Sequence, residues 1–386
     1  MSSSPLKRRG DILNWMTLTA TLLLAMGASA SAAPSAAPTA APEAAAPIDS
    51  SWIDKAPEPP VAKRAGISIP RSAGILKLTK VQAYDTAGLD NVAQYASADE
   101  AISGTVFIYY PSLADTGLTF LATDETIRRR LGASTHIAED KLVAVGGVAE
   151  AGRRVIYAGA SEGTRSTAAT IVRAGGWIIK IRVSGPASRA AEIAAALDGL
   201  SAGMTFGRNN PVKAHVIRTE DCAGKTEPDA PILKPAGGEV AALLALAVGE
   251  TRDEKGRALE DVLGRVPDRL CLVRSGGEGP VELTYKVPGK TPGIYAPRLF
   301  HLVGDAGFIV EATASAKTPR NVMLLRHRIG GLDAYGLLRG SPSLAQVENV
   351  VDQDENMPLL ARAMAEPEGG SRVELGCTHL KEGCKP

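Results

Sequence analysis

The run Thr170 to Ser184, TIVRAGGWIIKIRVS, decides what kind of fold this chain adopts. Two segments dense in Ile and Val flank Ala174-Gly175-Gly176. β-Branched and aromatic residues suit a pleated, packed surface, and a pair of glycines supplies the positive φ that a tight hairpin turn needs. The run therefore predicts two antiparallel strands, Ala168–Arg173 and Trp177–Ser184, rather than a helix or a parallel crossover. A second stretch, HLVGDAGFIVEATAS over 301–315, aligns with it without gaps, Gly176-Trp177-Ile178 falling on Gly307-Phe308-Ile309. Either the chain contains a duplication or two buried hairpins share a composition.

Outward from that hairpin, Ile75–Tyr84, Gly104–Tyr110 and Arg154–Ala158 also predict strands. A helix is expected from a Thr123 cap, with Asp124 and Glu125 in its first turn, Arg128 to Arg130 in its last and Gly132 as its stop. A second helix is expected from about Ala187 to Ala202, with Ile193, Leu197 and Leu200 on one face. These elements predict a first domain over 65–208. A second domain is expected over 213–350. Helical runs at Gly238–Val248 and Ala258–Val266 open it. Strands follow at Arg269–Arg274, Val281–Val287, Arg298–Val303, Gly307–Ala314 and Val322–Arg328. The fold class expected is α+β, each domain an antiparallel sheet with helices packed on it. Residues 351–386 are expected to form a polar tail.

The N-terminus predicts export. Lys7-Arg8-Arg9 precedes a short apolar run, Ile12 to Met26, and two A-x-A sites follow, Ala28-Ser29-Ala30 and Ala30-Ser31-Ala32. That order is a secretory signal peptide over 1–32. The run is interrupted by Asn14 and by threonines and falls short of the roughly 20 apolar residues of a membrane span. The mature form is thus expected to have no transmembrane span and to be periplasmic or secreted. Residues 33–64, which open within the run AAPSAAPTAAPEAAAP (32–47), predict an extended, disordered Pro/Ala linker. Export changes how Cys222, Cys271, Cys377 and Cys384 are read: an even number of cysteines in an oxidising compartment favours disulfides. Three connectivities exist. Short separations favour Cys222–Cys271 with Cys377–Cys384.

Forty-three basic and 42 acidic side chains nearly cancel, so nothing in the overall charge favours nucleic acid. Aromatics are only 4%, which argues against base- or sugar-stacking platforms. The most suggestive catalytic motif is Gly159-Ala160-Ser161-Glu162-Gly163. A nucleophile elbow needs a strand, a sharp turn and then a helix, because the helix N-terminus serves the oxyanion. Residues 164–172 are rich in Thr and β-branched residues and predict a strand, so Ser161 reads as a loop residue. His215, His301 and His327 could formally supply a base, and His327, between Arg326 and Arg328, is expected to face solvent. Cys377, His379 and Cys384 offer three metal-binding atoms without the spacing of a structural zinc site. Asp352-Gln353-Asp354-Glu355-Asn356 begins like a calcium loop but has Met357 and Ala363 where Gly and Glu are required. No cofactor is expected.

The segments GTVFIYYPSLADTGLTFLATDETIRRRLG and RSTAATIVRAGGWIIKIRVSGP resemble exported bacterial proteins, and their element order is similar to the α+β sandwiches of the PsbP, Mog1 and DcrB type. The resemblance covers the first domain alone and carries no catalytic motif. It implies an accessory or binding role. Export, tether and disulfides point the same way, to a non-catalytic envelope protein whose partner is another envelope protein or a cell-wall component. A serine hydrolase using Ser161 and a metal-binding protein using the C-terminal segment are the alternatives.

Overall fold

The computed structural model describes residues 51–160, 165–207, 209–222, 227–233, 266–275, 281–289, 295–315, 319–352, 357, 359–366 and 371–375. Short strands β1 (Trp52–Ile53), β2 (Val61–Ala62) and β3 (Ile67–Ser68) come first, followed by β4 (Ser72–Ala73), β5 (Leu76–Ala83), β6 (Asp90–Ser97) and β7 (Ser103–Tyr109). Helix α1 (Thr116–Leu131) precedes β8 (His136–Val145), β9 (Val148–Ala158), β10 (Arg165–Ala174) and β11 (Trp177–Pro186). Helix α2 (Ala190–Ala202) leads to β12 (Thr205–Phe206), β13 (Arg218–Asp221) and β14 (Ile232–Leu233). The chain continues with β15 (Arg269–Ser275), β16 (Glu282–Lys286), β17 (Tyr295–Val303), β18 (Phe308–Ser315), β19 (Asn321–Arg328) and β20 (Gly331–Arg339). Helix α3 (Leu344–Asp352), β21 (Leu359–Ala365) and β22 (Ser371–Leu375) close it.

The chain is mostly β, with three helices and several antiparallel sheets, one curled into a half-barrel. One eight-stranded sheet runs β4-β5-β6-β7-β11-β10-β9-β8. The deciding hairpin lies at its centre. Ala174 pairs with Trp177 across Gly175 and Gly176, and Gly175 has φ +58°. Strand β11 is buried on both faces, which explains its unbroken apolar run. On one side α2 packs Ile193, Leu197 and Leu200. On the other, α1 packs Leu118, Phe120 and Ile127. A ten-stranded sheet runs β13-β15-β16-β17-β18-β19-β20-β21-β22, with β14 paired to β20. Its Tyr285, Phe300, Leu302 and Ile309 enter the same core as α1, so one apolar layer joins the two sheets.

Several elements differ from the sequence-based expectations. Helix α1 begins at Thr116, capped by Asp115, whose side chain accepts from the Leu118 N–H. Asp-Thr-Gly mimics a turn locally, yet burial of Thr116 through Thr123 between the sheets overrides that preference. Strand pairing starts at Trp52, inside the stretch predicted to be linker. Its indole is buried and donates to the Gln82 carbonyl. The predicted polar tail supplies β21 and β22, where Leu360, Ala361 and Ala363 are buried. Strands β6, β8 and β20 and helix α3 also escape the sequence pattern. The predicted helices at 238–248 and 258–266 fall outside the described residues, apart from Val266.

The two aligned hairpins do not share a pairing register. In the first, Val172 pairs with Ile179 and the strands close at Ala174–Trp177. In the second, the strands close at Val303–Phe308 around a longer loop. Their settings differ too: β11 pairs with β7 across the α1 connection, whereas β18 pairs onward with β19.

The Cys222–Cys271 disulfide is formed, with a Cα–Cα distance of 5.1 Å. It staples the parallel pair β13–β15, which lacks the closure a tight hairpin provides. A disulfide fits an oxidising, extracytoplasmic environment. Among the described residues, no helix is long and apolar enough to cross a membrane. Cys377 and Cys384 lie outside the described residues.

Candidate functional site

Ser161 itself lies outside the described residues, but its flanks do not supply the elbow's helix. Strand β9 ends at Ala158 and strand β10 starts at Arg165. Gly159 has φ +74°, and a Cβ there would meet the Ser134 carbonyl and the His136 ring. The metal-binding candidates Cys377, His379 and Cys384 fall outside the described residues, as do Gln353 to Asn356. Asp352 is the last residue of α3. No group of three metal-binding side chains occurs among the described residues.

The structure instead builds a polar seam where the two sheets meet. Beyond β7, Pro111 bridges to Ile329, the Ser112 N–H donates to the Arg328 carbonyl, and the Gly330 N–H donates to the Tyr110 carbonyl. The Ser112 hydroxyl lies 3.0 Å from His327 Nδ1, and His327 Nε2 lies 3.1 Å from Glu311 Oε2. His327 is buried, 1% exposed, rather than solvent-facing. The reason is that β19 has a covered face on each side. His327 enters the seam, while Arg326 points to the other face and pairs with Asp333.

Ser112, His327 and Glu311 have the residue types of a nucleophile, base and acid, and Ser112 lies on a strand–turn–helix connection. The details favour a clamp. Ser112 approaches Nδ1, the ring nitrogen crowded by the histidine's own backbone. Its main-chain N–H, which would follow the oxyanion, is bound to Arg328. Both its backbone and its hydroxyl therefore tie the first sheet to β19.

Lys180 and His215 are similarly engaged at the seam. Lys180, on β11, donates to the Asp305 carbonyl at 2.7 Å and to its carboxylate at 2.8 Å, fastening the β17–β18 loop onto the first sheet. His215 Nδ1 lies 2.7 Å from Asp115 Oδ2 and its Nε2 lies 3.1 Å from Asp268 Oδ1, two carboxylate oxygens that accept. Burial lowers the affinity of His215 for a proton, but the two carboxylates outweigh it and its pKa rises. His301 lies against Thr284 at 2.8 Å, and burial, reinforced by Arg274, pushes its pKa down to about 4. It is a neutral core histidine.

Asp90 gives the seam a pH dependence. Burial first, then the neighbouring Asp85, pushes its carboxyl from 3.8 up to about 6, with Lys180 opposing. Between those two values the folded chain keeps a proton that the unfolded chain releases. The contribution of Asp90 to stability therefore falls as pH rises through that window. Urea melts from pH 4 to 6.5 should show a loss on the order of 2 kcal/mol, and Asp90→Asn should flatten it. An unchanged slope in the variant would show that Asp90 does not govern it.

One concavity of about 490 Å³ opens at the far end of the second sheet. The start of β17, the turn before β19 and the end of β20 meet there because antiparallel neighbours alternate direction. They bring Arg298, Arg320 and Arg339 to one cleft, floored by Val322 and edged by Gly340 and Ser341. Arg320 and Arg339 are exposed and Arg298 is partly buried. No described carboxylate pairs with any of the three. Gly340 has φ +111° and open space where a Cβ would stand. The sequence does not single out these arginines: they come from β17, the turn before β19 and the end of β20, with no local motif.

No protein-family profile matches the chain, and no curated protein matches it.

Proposed function

We propose that this is an exported, non-catalytic binding module of the cell envelope, and that the cleft of Arg298, Arg320 and Arg339 is its binding site. The carrying observation is that concavity, with three guanidinium groups and no described carboxylate to neutralise them. Buried arginines elsewhere in the chain find acids at the surface, as Arg153 does with Asp140 and Arg154 with Asp198. The predicted signal peptide, the disulfide and the resemblance of the first domain to accessory sandwiches support a periplasmic location. In this reading the two sheets form the two α+β domains, and the polar seam keeps them in fixed register.

A serine hydrolase is the second reading, favoured by the Ser112–His327–Glu311 hydrogen-bond chain rather than by Ser161. In it the Ser112 hydroxyl would attack an acyl carbonyl while His327 Nδ1 takes its proton. Treatment of the mature protein with a fluorophosphonate probe separates the two. The binding reading expects no labelling, and Ser112→Ala should cost about 1 kcal/mol of stability as a lost buried hydrogen bond. Labelling of the wild type that Ser112→Ala abolishes would establish the hydrolase and overturn the binding reading.

A further inference from the structure

We infer that the ligand of the arginine cleft is a compact polyanion carrying at least two phosphate or carboxylate groups. The inference rests on the cleft being the binding site. Its first support is residue type. All three cationic side chains are arginine, whose planar fork matches two oxygens of a carboxylate or phosphate at once. Its second support is spacing. Neighbouring strands lie about 4.8 Å apart, so Arg298 on β17 and Arg339 on β20 start roughly 14 Å apart across the sheet. Forks anchored that far apart flank a ligand from opposite sides more readily than they converge on a single oxyanion.

The third support is the floor. Val322 is buried beneath the arginines, and Pro319 and Gly340 add no acidic side chain to the rim. The described lining thus offers positive charge, a small apolar base and the Ser341 hydroxyl, with nothing that repels an anion. A volume of about 490 Å³ suits a molecule of metabolite size rather than a single ion. The chain has a formal net charge of only +1, so such a site must come from local concentration of charge rather than from the protein as a whole.

The test is calorimetric titration of the mature protein with tripolyphosphate, citrate and inorganic phosphate, beside sedimentation with vesicles rich in cardiolipin, a lipid whose headgroup carries two phosphates. Tripolyphosphate or citrate is expected to bind at least tenfold more tightly than inorganic phosphate, and the affinity should fall as salt is raised. The double variant Arg320→Gln/Arg339→Gln alters exposed side chains, so its melting temperature without ligand should match the wild type. Its affinity should drop at least tenfold. Binding of free tripolyphosphate or citrate identifies a soluble ligand, and retention on vesicles alone identifies a lipid headgroup. Either result supports the inference if the double variant loses it. Failure of every polyanion to bind, or binding that the double variant retains, overturns it. An uncharged oligosaccharide whose binding the double variant abolishes would overturn the polyanion while leaving the binding reading intact.

Discussion

Asp333→Ala is expected to destabilise the protein by about 3–5 kcal/mol, the cost of stripping one partner from a buried ion pair. Asp333 is 0% exposed and lies on β20 beside three guanidinium groups. Arg326 donates to it through Nε at 3.1 Å, Arg362 through Nε at 2.7 Å, and Arg328 stands 3.5 Å away. Arg326 is itself buried, with Tyr335 and Phe308 rings beside its guanidinium. Without Asp333, that charge would remain in the core with only the Val350 carbonyl to accept from it. Asp333→Asn separates charge from shape. It preserves volume, and it should cost nearly as much, because the amide cannot neutralise three cations.

The pH dependence follows from the same cluster. Burial would raise the Asp333 carboxyl, but hydrogen bonds from Arg362 and Arg326 outweigh it and hold the pKa below the ordinary 3.8. A lowered folded pKa means stability that is present above the unfolded value and lost as pH falls through the folded one. Urea melts at pH 7 and at decreasing acid pH measure both effects. A loss below about 1 kcal/mol at pH 7 would place Asp333 with surface ion pairs, whose worth is of that order.

Loss of the Cys222–Cys271 disulfide is expected to cost about 4 kcal/mol, the chain-entropy value for a loop of this length. The bond spans a sequence separation of 49 residues. Its position adds to the effect. Strand β13 is exposed along its length and, among the described strands, pairs only with β15, in parallel. It buries little of its own surface, so its attachment depends on the ladder, on the Cys222 N–H bond to the Leu272 carbonyl, and on the covalent staple. Cys222→Ser/Cys271→Ser should lower the denaturation midpoint and raise hydrogen exchange at Arg218–Asp221 ahead of the rest of the second sheet. Equal midpoints for oxidised, reduced and substituted protein would show that the staple does not limit stability.

The hairpin at Thr170–Ser184 was legible because its information is local: two β-branched runs and a glycine pair at the turn. The α2 face of Ile193, Leu197 and Leu200 was legible for the same reason, a period of 3.6 on one side of a helix. Strands β20 and β21 were not. Leu359–Ala365 carries alanines that pack well against a close neighbour but have little strand propensity of their own. His327 illustrates the limit of alternation. Arg326, His327 and Arg328 predict a wet strand, but β19 is covered on both faces. Asp333 neutralises one side while Glu311 and Ser112 take up the other.

The candidate sites were still less legible. Ser112, Glu311 and His327 come from different sheets or strands, and a local signal existed only for the strand–turn–helix around Ser112. Arg298, Arg320 and Arg339 have no shared motif, since sequence spacing across a meander depends on strand and loop lengths that vary freely.

The sequence by itself determined what depends on neighbours along the chain: the export signal expected at the N-terminus, the central antiparallel hairpin and the amphipathic face of α2. Tertiary structure alone decided which charges are compensated. Three arginines that look alike in sequence share Asp333 in the core, and three others gather at an open cleft with no described acid beside them. The physical reason is that electrostatic energy depends on distance through space and on access to water, and both are fixed by strand register and by what covers each face of the sheet.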